Sequence, residues 1–227
     1  MSVILLKNPE LFHIPDGRGA KTSGGSQYWY SDRGYAASRG CGPATASNIL
    51  TYMLRSQPEL FDKAKKAGLG GLDDKAEYIE FMKKIYVLFK PGLIGLPASG
   101  FMRGAARFAK AYGLPVSAAC LRVPEKPFQR PSFEKSADFI RSALSSETPV
   151  AFLALSTGGV ANLYKWHWVT IIGLDEENKS VLILDNTKSS WAEIGAWHDK
   201  SLLGGALVRF AKYGFEKTVG QKDHTFS

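Results

Sequence analysis

Cys41 is followed at once by Gly42, Pro43 and the small residues Ala44, Ala46 and Ser47, a pattern that places a thiol at the start of a helix. A helix start suits a nucleophilic cysteine. The positive end of the macrodipole and the free N–H groups of the first turn favour the thiolate, which is the reactive form. Pro43 fits the same turn, where a missing N–H costs little, and Ile49, Tyr52 and Met53 give this helix an apolar side. A lone cysteine is more often a small buried hydrophobe. The case for chemistry therefore needs three further groups: a base for the thiol, an orienting partner for the base, and donors for a developing oxyanion.

The chain has four histidines. His13 lies in an early loop, His224 in the polar tail and His198 beside Trp197 in a polar segment. His167 instead opens a β-rich run with Trp166 and Trp168 on either side. A histidine at the mouth of a strand can be aimed, and one in a tail cannot. The runs Trp168 to Leu174 and Val181 to Leu184 flank the polar turn from Asp175 to Ser180, a hairpin pattern, and the returning strand ends at Asp185-Asn186. Alternation along a strand predicts that Asp185 and Asn186 point to opposite faces, so that only one of them meets His167. A carboxylate holds an imidazolium more strongly than an amide, which favours Asp185 and leaves Asn186 as the alternative. Gln27 is the only glutamine before Cys41. It offers a side-chain amide to join the Cys41 backbone N–H as an oxyanion donor. Trp29, Trp166 and Trp168 are candidates to line a substrate groove or to shield the histidine from water.

These residues need elements to carry them. Residues 7 to 26 mix Pro, Gly, Ser and charge and read as a loop leading into Gln27-Tyr28-Trp29-Tyr30. Asp74-x-x-Glu77 resembles a capping box, and Tyr78, Phe81, Met82, Ile85, Leu88 and Phe89 recur at helical spacing, which predicts a helix over 73–90 ended by Pro91-Gly92. Ser99 opens another helix with Arg103, Arg107 and Lys110 on a solvated stripe. From Leu114 the pattern turns to strand at Val116 to Val123, a Pro-rich loop to Pro131, a helix marked by Phe133, Ala137, Ile140 and Leu144, and an apolar strand at Pro149 to Leu155. Leu202 to Phe210 predicts a last helix or packed segment, and the tail from Glu216 is polar. The expected organisation is one domain over 1–227: an N-terminal loop 1–26, a helical lobe 27–113, a β-rich lobe 114–215 carrying the histidine and aspartate, and a tail 216–227.

At 227 residues and 44% hydrophobic content the chain can bury a sizeable core. Its two cysteines, Cys41 and Cys120, exclude a disulfide framework and a multi-cysteine metal site, and no His-Glu-x-x-His motif is present. No metal or other cofactor is expected. The formal net charge of +8 comes without a clustered basic and aromatic motif, so no nucleic-acid partner is expected. The apolar start Val3-Ile4-Leu5-Leu6 is too short for a signal-peptide core, and no run is long enough to span a membrane, which predicts a cytoplasmic protein with no membrane partner.

The ordered set Gln27, Gly40-Cys41-Gly42-Pro43, His167-Trp168-Val169 and Leu184-Asp185-Asn186 resembles the papain-like cysteine peptidases, and within them it is most similar to the bacteriocin-leader (double-glycine) peptidase-like group. The match runs from about Gln27 to Asn186. It implies an α+β, papain-like fold, a helical lobe packed on an antiparallel sheet, with Cys41 as nucleophile, His167 as base, Asp185 as orienter and Gln27 as oxyanion donor. Two features depart from that group: Asn186 stands where a proline commonly follows the aspartate, and the interval from Gln27 to Cys41 is longer than in papain. The resemblance implies a cysteine peptidase or amidase that forms a thioester with a peptide or amide substrate. An acyl- or peptidyl-transferase would use the same thioester, and a catalytically silent peptide-binding protein would keep the fold alone.

Overall fold

The computed structural model describes residues 3–16, 19–30 and 35–212, apart from the side chains of Tyr35 and Lys212. The helices α1 (Tyr35–Arg39), α2 (Cys41–Arg55), α3 (Pro58–Lys66), α4 (Lys75–Phe89) and α5 (Ala98–Tyr112) come first, and α6 (Phe133–Ser145) and α7 (Ile194–Lys200) fall among the strands. The strands are β1 (Val3–Leu5), β2 (His13–Pro15), β3 (Lys21–Ser23), β4 (Val116–Val123), β5 (Val150–Ala154), β6 (His167–Asp175), β7 (Ser180–Asp185), β8 (Lys188–Ala192) and β9 (Gly205–Lys212). Among the described residues these form one antiparallel sheet in the order β4-β9-β5-β6-β7-β8, with β1 also on β6, and a small β2-β3 hairpin. The class is α+β, helices against an antiparallel sheet, as the sequence predicts.

The core lies in two layers, one on each face of the sheet. Ala151, Leu153, Trp168, Val208 and Phe210 pack with α2, α4 and α5, whereas Val150, Phe152, Val169, Ile171 and Leu207 pack with α6 and α7. Every residue of β5 is buried, which is why its sequence reads as an unbroken apolar run rather than an alternation. The same double burial explains β9. Ala206, Val208 and Phe210 serve one layer and Leu207 the other, so the apolar cluster expected to be a last helix or packed segment is a strand.

Helix α2 is the axle of the helical layer, with all its residues from Cys41 to Leu54 buried. Its small residues admit close neighbours. A Cβ on Gly42 would meet Leu96 Cδ2 at 2.7 Å, so glycine there lets the loop before α5 cover the first turn. Asp74 caps α4, accepting from the Glu77 N–H at 2.9 Å, and Glu77 reaches back to the Asp73 N–H at 2.8 Å. This is the expected box displaced by one residue on its return bond.

The N-terminal segment corrects the expected loop. It holds β1, a 3-10 turn at Pro9–Phe12, and the β2-β3 hairpin. Arg55 ties it down by donating to the carbonyls of Leu11 and His13 at 2.8 and 2.7 Å. Strands of three residues carry too little periodicity to be seen in sequence. No described helix is long and apolar enough to cross a membrane. The expected tail 216–227, with His224, lies outside the described residues.

Candidate active site

The thiol sits where α1, Gly40 and α2 meet. Gly40 is the residue before α2, and its carbonyl accepts the first helical bond, from the Ala44 N–H at 2.8 Å. Cys41 is thus the first residue of a 15-residue helix and is 8% exposed. Within its first turns the Ser47 hydroxyl donates back to the Pro43 carbonyl at 2.9 Å.

His167 begins β6, and strand register brings its partner. Thr170 pairs with Leu184, and continuing that antiparallel register by one step sets Asp185 opposite Val169. His167 at the start of β6 and Asp185 at the end of β7 thus lie at the same end of neighbouring strands. His167 Nε2 is 2.9 Å from Asp185 Oδ1, and the two side chains are 12% and 20% exposed. The imidazole also lies close enough to the Cys41 thiol to interact with it electrostatically. With Nε2 committed to Asp185, Nδ1 is the nitrogen left for sulfur. Burial disfavours the charged imidazole, but the hydrogen bonds and charges of Asp185 and Cys41 outweigh it and push the His167 pKa up to about 9. Tyr164 adds an edge-on ring contact to the imidazole at 5.7 Å.

Asn186 does not behave as strand alternation predicts. β7 ends at Asp185, and Asn186 and Thr187 take positive φ angles of 45° and 71°. They are the two central residues of a tight turn closed by the Asp185–Lys188 pair, with the signs of φ that a type I′ hairpin needs. That turn ends the alternation. Asn186 Nδ2 consequently donates to Asp185 Oδ1 at 2.9 Å, so both side chains converge on one spot instead of facing apart.

Gln27 opens a 3-10 turn, Gln27–Trp29, capped by the Ser26 hydroxyl, which accepts from the Tyr28 N–H at 3.2 Å. The Gln27 N–H donates to Asn186 Oδ1 at 3.1 Å and the Ser26 hydroxyl to the same oxygen at 2.9 Å. Asn48, in the middle of α2, holds the preceding residues: its Oδ1 accepts from the Gly25 N–H at 2.8 Å and from the Tyr78 hydroxyl at 2.9 Å. Gly24, at φ 69°, has no room for a side chain, since a Cβ there would lie 2.8 Å from Asn48 Oδ1. A small cavity of about 10 Å³, room for about one water molecule, lies between Gln27, Cys41, Asn48, Trp168, Asp185 and Asn186. Gln27 Oε1 is buried without a hydrogen-bond partner.

The three tryptophans part company. Trp166 is 55% exposed and held at φ 58° beside His167. Trp29 packs edge-on to Tyr78 and under Lys75 Nζ. Trp168 is 1% exposed, stacks on Phe101 at 4.5 Å and donates from Nε1 to the Leu96 carbonyl at 2.7 Å. It supports the floor of the site and is not open to an extended substrate. Among the other histidines, His198 is buried on α7 against the Pro131 carbonyl at 2.9 Å, and His13 lies in β2. Neither approaches the thiol. Sequence reasoning missed Asn48 and Ser26. The signal for Asn48 was a lone amide inside a buried apolar helix, which must find partners; Ser26 offered none.

Among solved structures, the chain is similar to the peptidase domain of Streptococcus ComA, a bi-functional ABC transporter involved in a quorum sensing pathway, with 14% identity and a TM-score of 0.39 over 77% of this chain and 93% of that one. It is also similar to xylellain, a cysteine protease from Xylella fastidiosa, with 12% identity and a TM-score of 0.39 over 92% of this chain and 85% of that one. No protein-family model and no curated protein matches the chain. Likenesses this distant leave the chemistry to be argued from the residues themselves.

Proposed function

We propose that the protein is a cysteine-type hydrolase, a peptidase or amidase, that works through Cys41, His167 and Asp185 on a papain-like arrangement of nucleophile helix and sheet. One observation carries the reading: a single imidazole hydrogen-bonded to a carboxylate and close enough to a helix-start thiol to interact with it. A structural histidine is satisfied by any donor or acceptor, as His198 is by Asp199 and the Pro131 carbonyl. A base for a nucleophile needs the nucleophile itself and an orienting group.

The chemistry follows from the protons. His167 takes the Cys41 proton, giving an imidazolium–thiolate pair held by Asp185. The thiolate adds to the carbonyl carbon, a C–S bond forms, and the carbonyl electron pair moves to oxygen. The Cys41 backbone N–H and the Gln27 amide receive that oxyanion. The imidazolium gives its proton to the leaving nitrogen as the C–N bond breaks, releasing an amine and leaving a thioester. Water then attacks while His167 takes its proton, the thiolate departs, and the acid is released with the imidazolium restored. Gln27 lines the same cavity as Cys41, which supports its part.

The test is to trap the acyl-enzyme. With p-nitrophenyl acetate as acyl donor, mass mapping should find an acetyl group on Cys41 and a burst of p-nitrophenolate, both absent from Cys41→Ala. Turnover that persists in Cys41→Ala would overturn the proposal.

A further inference from the structure

Asn186 touches both halves of the site, and its amide has only one way to sit. The Gln27 main-chain N–H and the Ser26 hydroxyl, which points its proton at the same atom, both need an acceptor, so Oδ1 faces them at 3.1 and 2.9 Å. The Asp185 carboxylate accepts, so Nδ2 faces it at 2.9 Å. Each end of the amide meets a group that the other end could not serve. One oxygen of Asp185 thereby carries two bonds, from His167 Nε2 and from Asn186 Nδ2.

Resting on the Cys41–His167–Asp185 reading, we propose that Asn186 is a positioning residue that fixes the orienting carboxylate and the oxyanion-donor segment to each other through one side-chain amide. The Nδ2 bond stops rotation of the Asp185 carboxylate away from the imidazole. The Oδ1 bonds set the height of the Gln27 backbone, from which the Gln27 side chain reaches the cavity it shares with Cys41. The elements being joined lie 159 positions apart in sequence, and among the described residues Asn48 is the other side chain seen holding this loop to the body of the site, through Gly25.

There is a plainer reason for asparagine here. Residue 186 sits at φ 45° in a type I′ turn, where Asn is favoured for its backbone alone. Glycine satisfies that turn at least as well and has no side chain, so Asn186→Gly separates the two explanations without straining the hairpin. Asn186→Asp keeps the acceptor for Ser26 and Gln27 but replaces the donor by a second carboxylate next to Asp185. The groups facing His167 are Cys41 from α2, Asp185 from β7 and the Tyr164 ring, so a change at 186 reaches the imidazole through Asp185.

The experiment follows p-nitrophenyl acetate turnover and the histidine ring signals by NMR across pH, in the parent and both variants, with thermal melts to confirm folding. For Asn186→Gly the expected result is kcat lower by about 10-fold or more at unchanged KM, on the scale of losing an orienting group, with the His167 titration moved down from about 9. In Asn186→Asp the His167 titration should move above the parent's, because a further negative charge favours the imidazolium. Should Asn186→Gly fail to fold, the Asn186→Asp titration carries the test. Cys41-dependent turnover with kcat and His167 titration unchanged in Asn186→Gly, or an unmoved His167 titration in Asn186→Asp, overturns this inference alone. Turnover surviving Cys41→Ala overturns the thiol reading and this one with it.

Discussion

His167 Nε2 and Asp185 Oδ1 stand 2.9 Å apart on adjacent antiparallel strands, and this bond turns a strand-end imidazole toward the Cys41 thiol. Asp185→Ala should leave the hairpin intact while freeing the ring to rotate. The expected outcome is a fall in kcat of at least ~10-fold with little change in KM, measured as steady-state p-nitrophenyl acetate turnover. Full activity in a folded Asp185→Ala variant would assign the orienting role elsewhere.

The pH dependence follows from the same contact. His167 binds its proton more tightly in the folded chain, where its pKa is about 9, than in the unfolded one, where it has the ordinary value of 6.5. Its contribution to stability is therefore complete below about 6.5 and is lost as pH rises through about 9. The parent's melting temperature should drop more steeply between pH 7 and 9.5 than that of Asp185→Ala. Activity should show an alkaline limb near 9, where the imidazolium loses the proton destined for the leaving group. Parallel melting curves in the two proteins would contradict the assignment.

Gln27→Ala separates transition-state work from packing. An oxyanion donor acts when charge collects on oxygen, and losing one costs ~100- to 1000-fold in kcat. KM should hardly move. Alkylation of Cys41 by iodoacetamide forms no tetrahedral oxyanion, so its rate should stay at the parent value. A loss shared equally by both reactions would mean that Gln27 serves only the packing around Tyr28, Trp29 and Tyr30.

Asn48 is a stability determinant of the site's loop. Removing its side chain leaves the Gly25 N–H and the buried Tyr78 hydroxyl without an acceptor. Asn48→Ala should cost about 3 kcal/mol, the scale of two unsatisfied buried groups, read from urea unfolding midpoints. A change below 1 kcal/mol, an order-of-magnitude threshold on the same scale, would show that water replaces it.

The Cys41 helix and the His167 strand were legible because their signals are local. Gly-Pro with small residues marks a buried helix start, and a β-rich run bounded by a polar turn marks a hairpin. Asn186 was misread because the period-2 rule was carried one residue past the end of β7. The turn Asn186-Thr187 lacks the Asn-Gly signature by which such hairpins are recognised, and with it β8 went unseen. β9 was opaque for a different reason: burial on both faces erases alternation. The grip of Asn48 on Gly25 and of Asn186 on Ser26 and Gln27 joins segments far apart in sequence, where no periodicity can report it.

Activation of the Cys41 thiol by His167 is open to a direct test, and the chain's second cysteine provides an internal control. Burial pushes the Cys120 thiol pKa up, only partly offset by Arg122, so Cys120 should be inert at mildly acidic pH. The deciding measurement is site-resolved iodoacetamide labelling at pH 6, followed by peptide mass mapping, in the parent and in His167→Ala. The expected result is rapid modification of Cys41 with Cys120 untouched in the parent, and loss of most of that rate in His167→Ala. Equally slow labelling of both cysteines, or a Cys41 rate indifferent to His167, would contradict it.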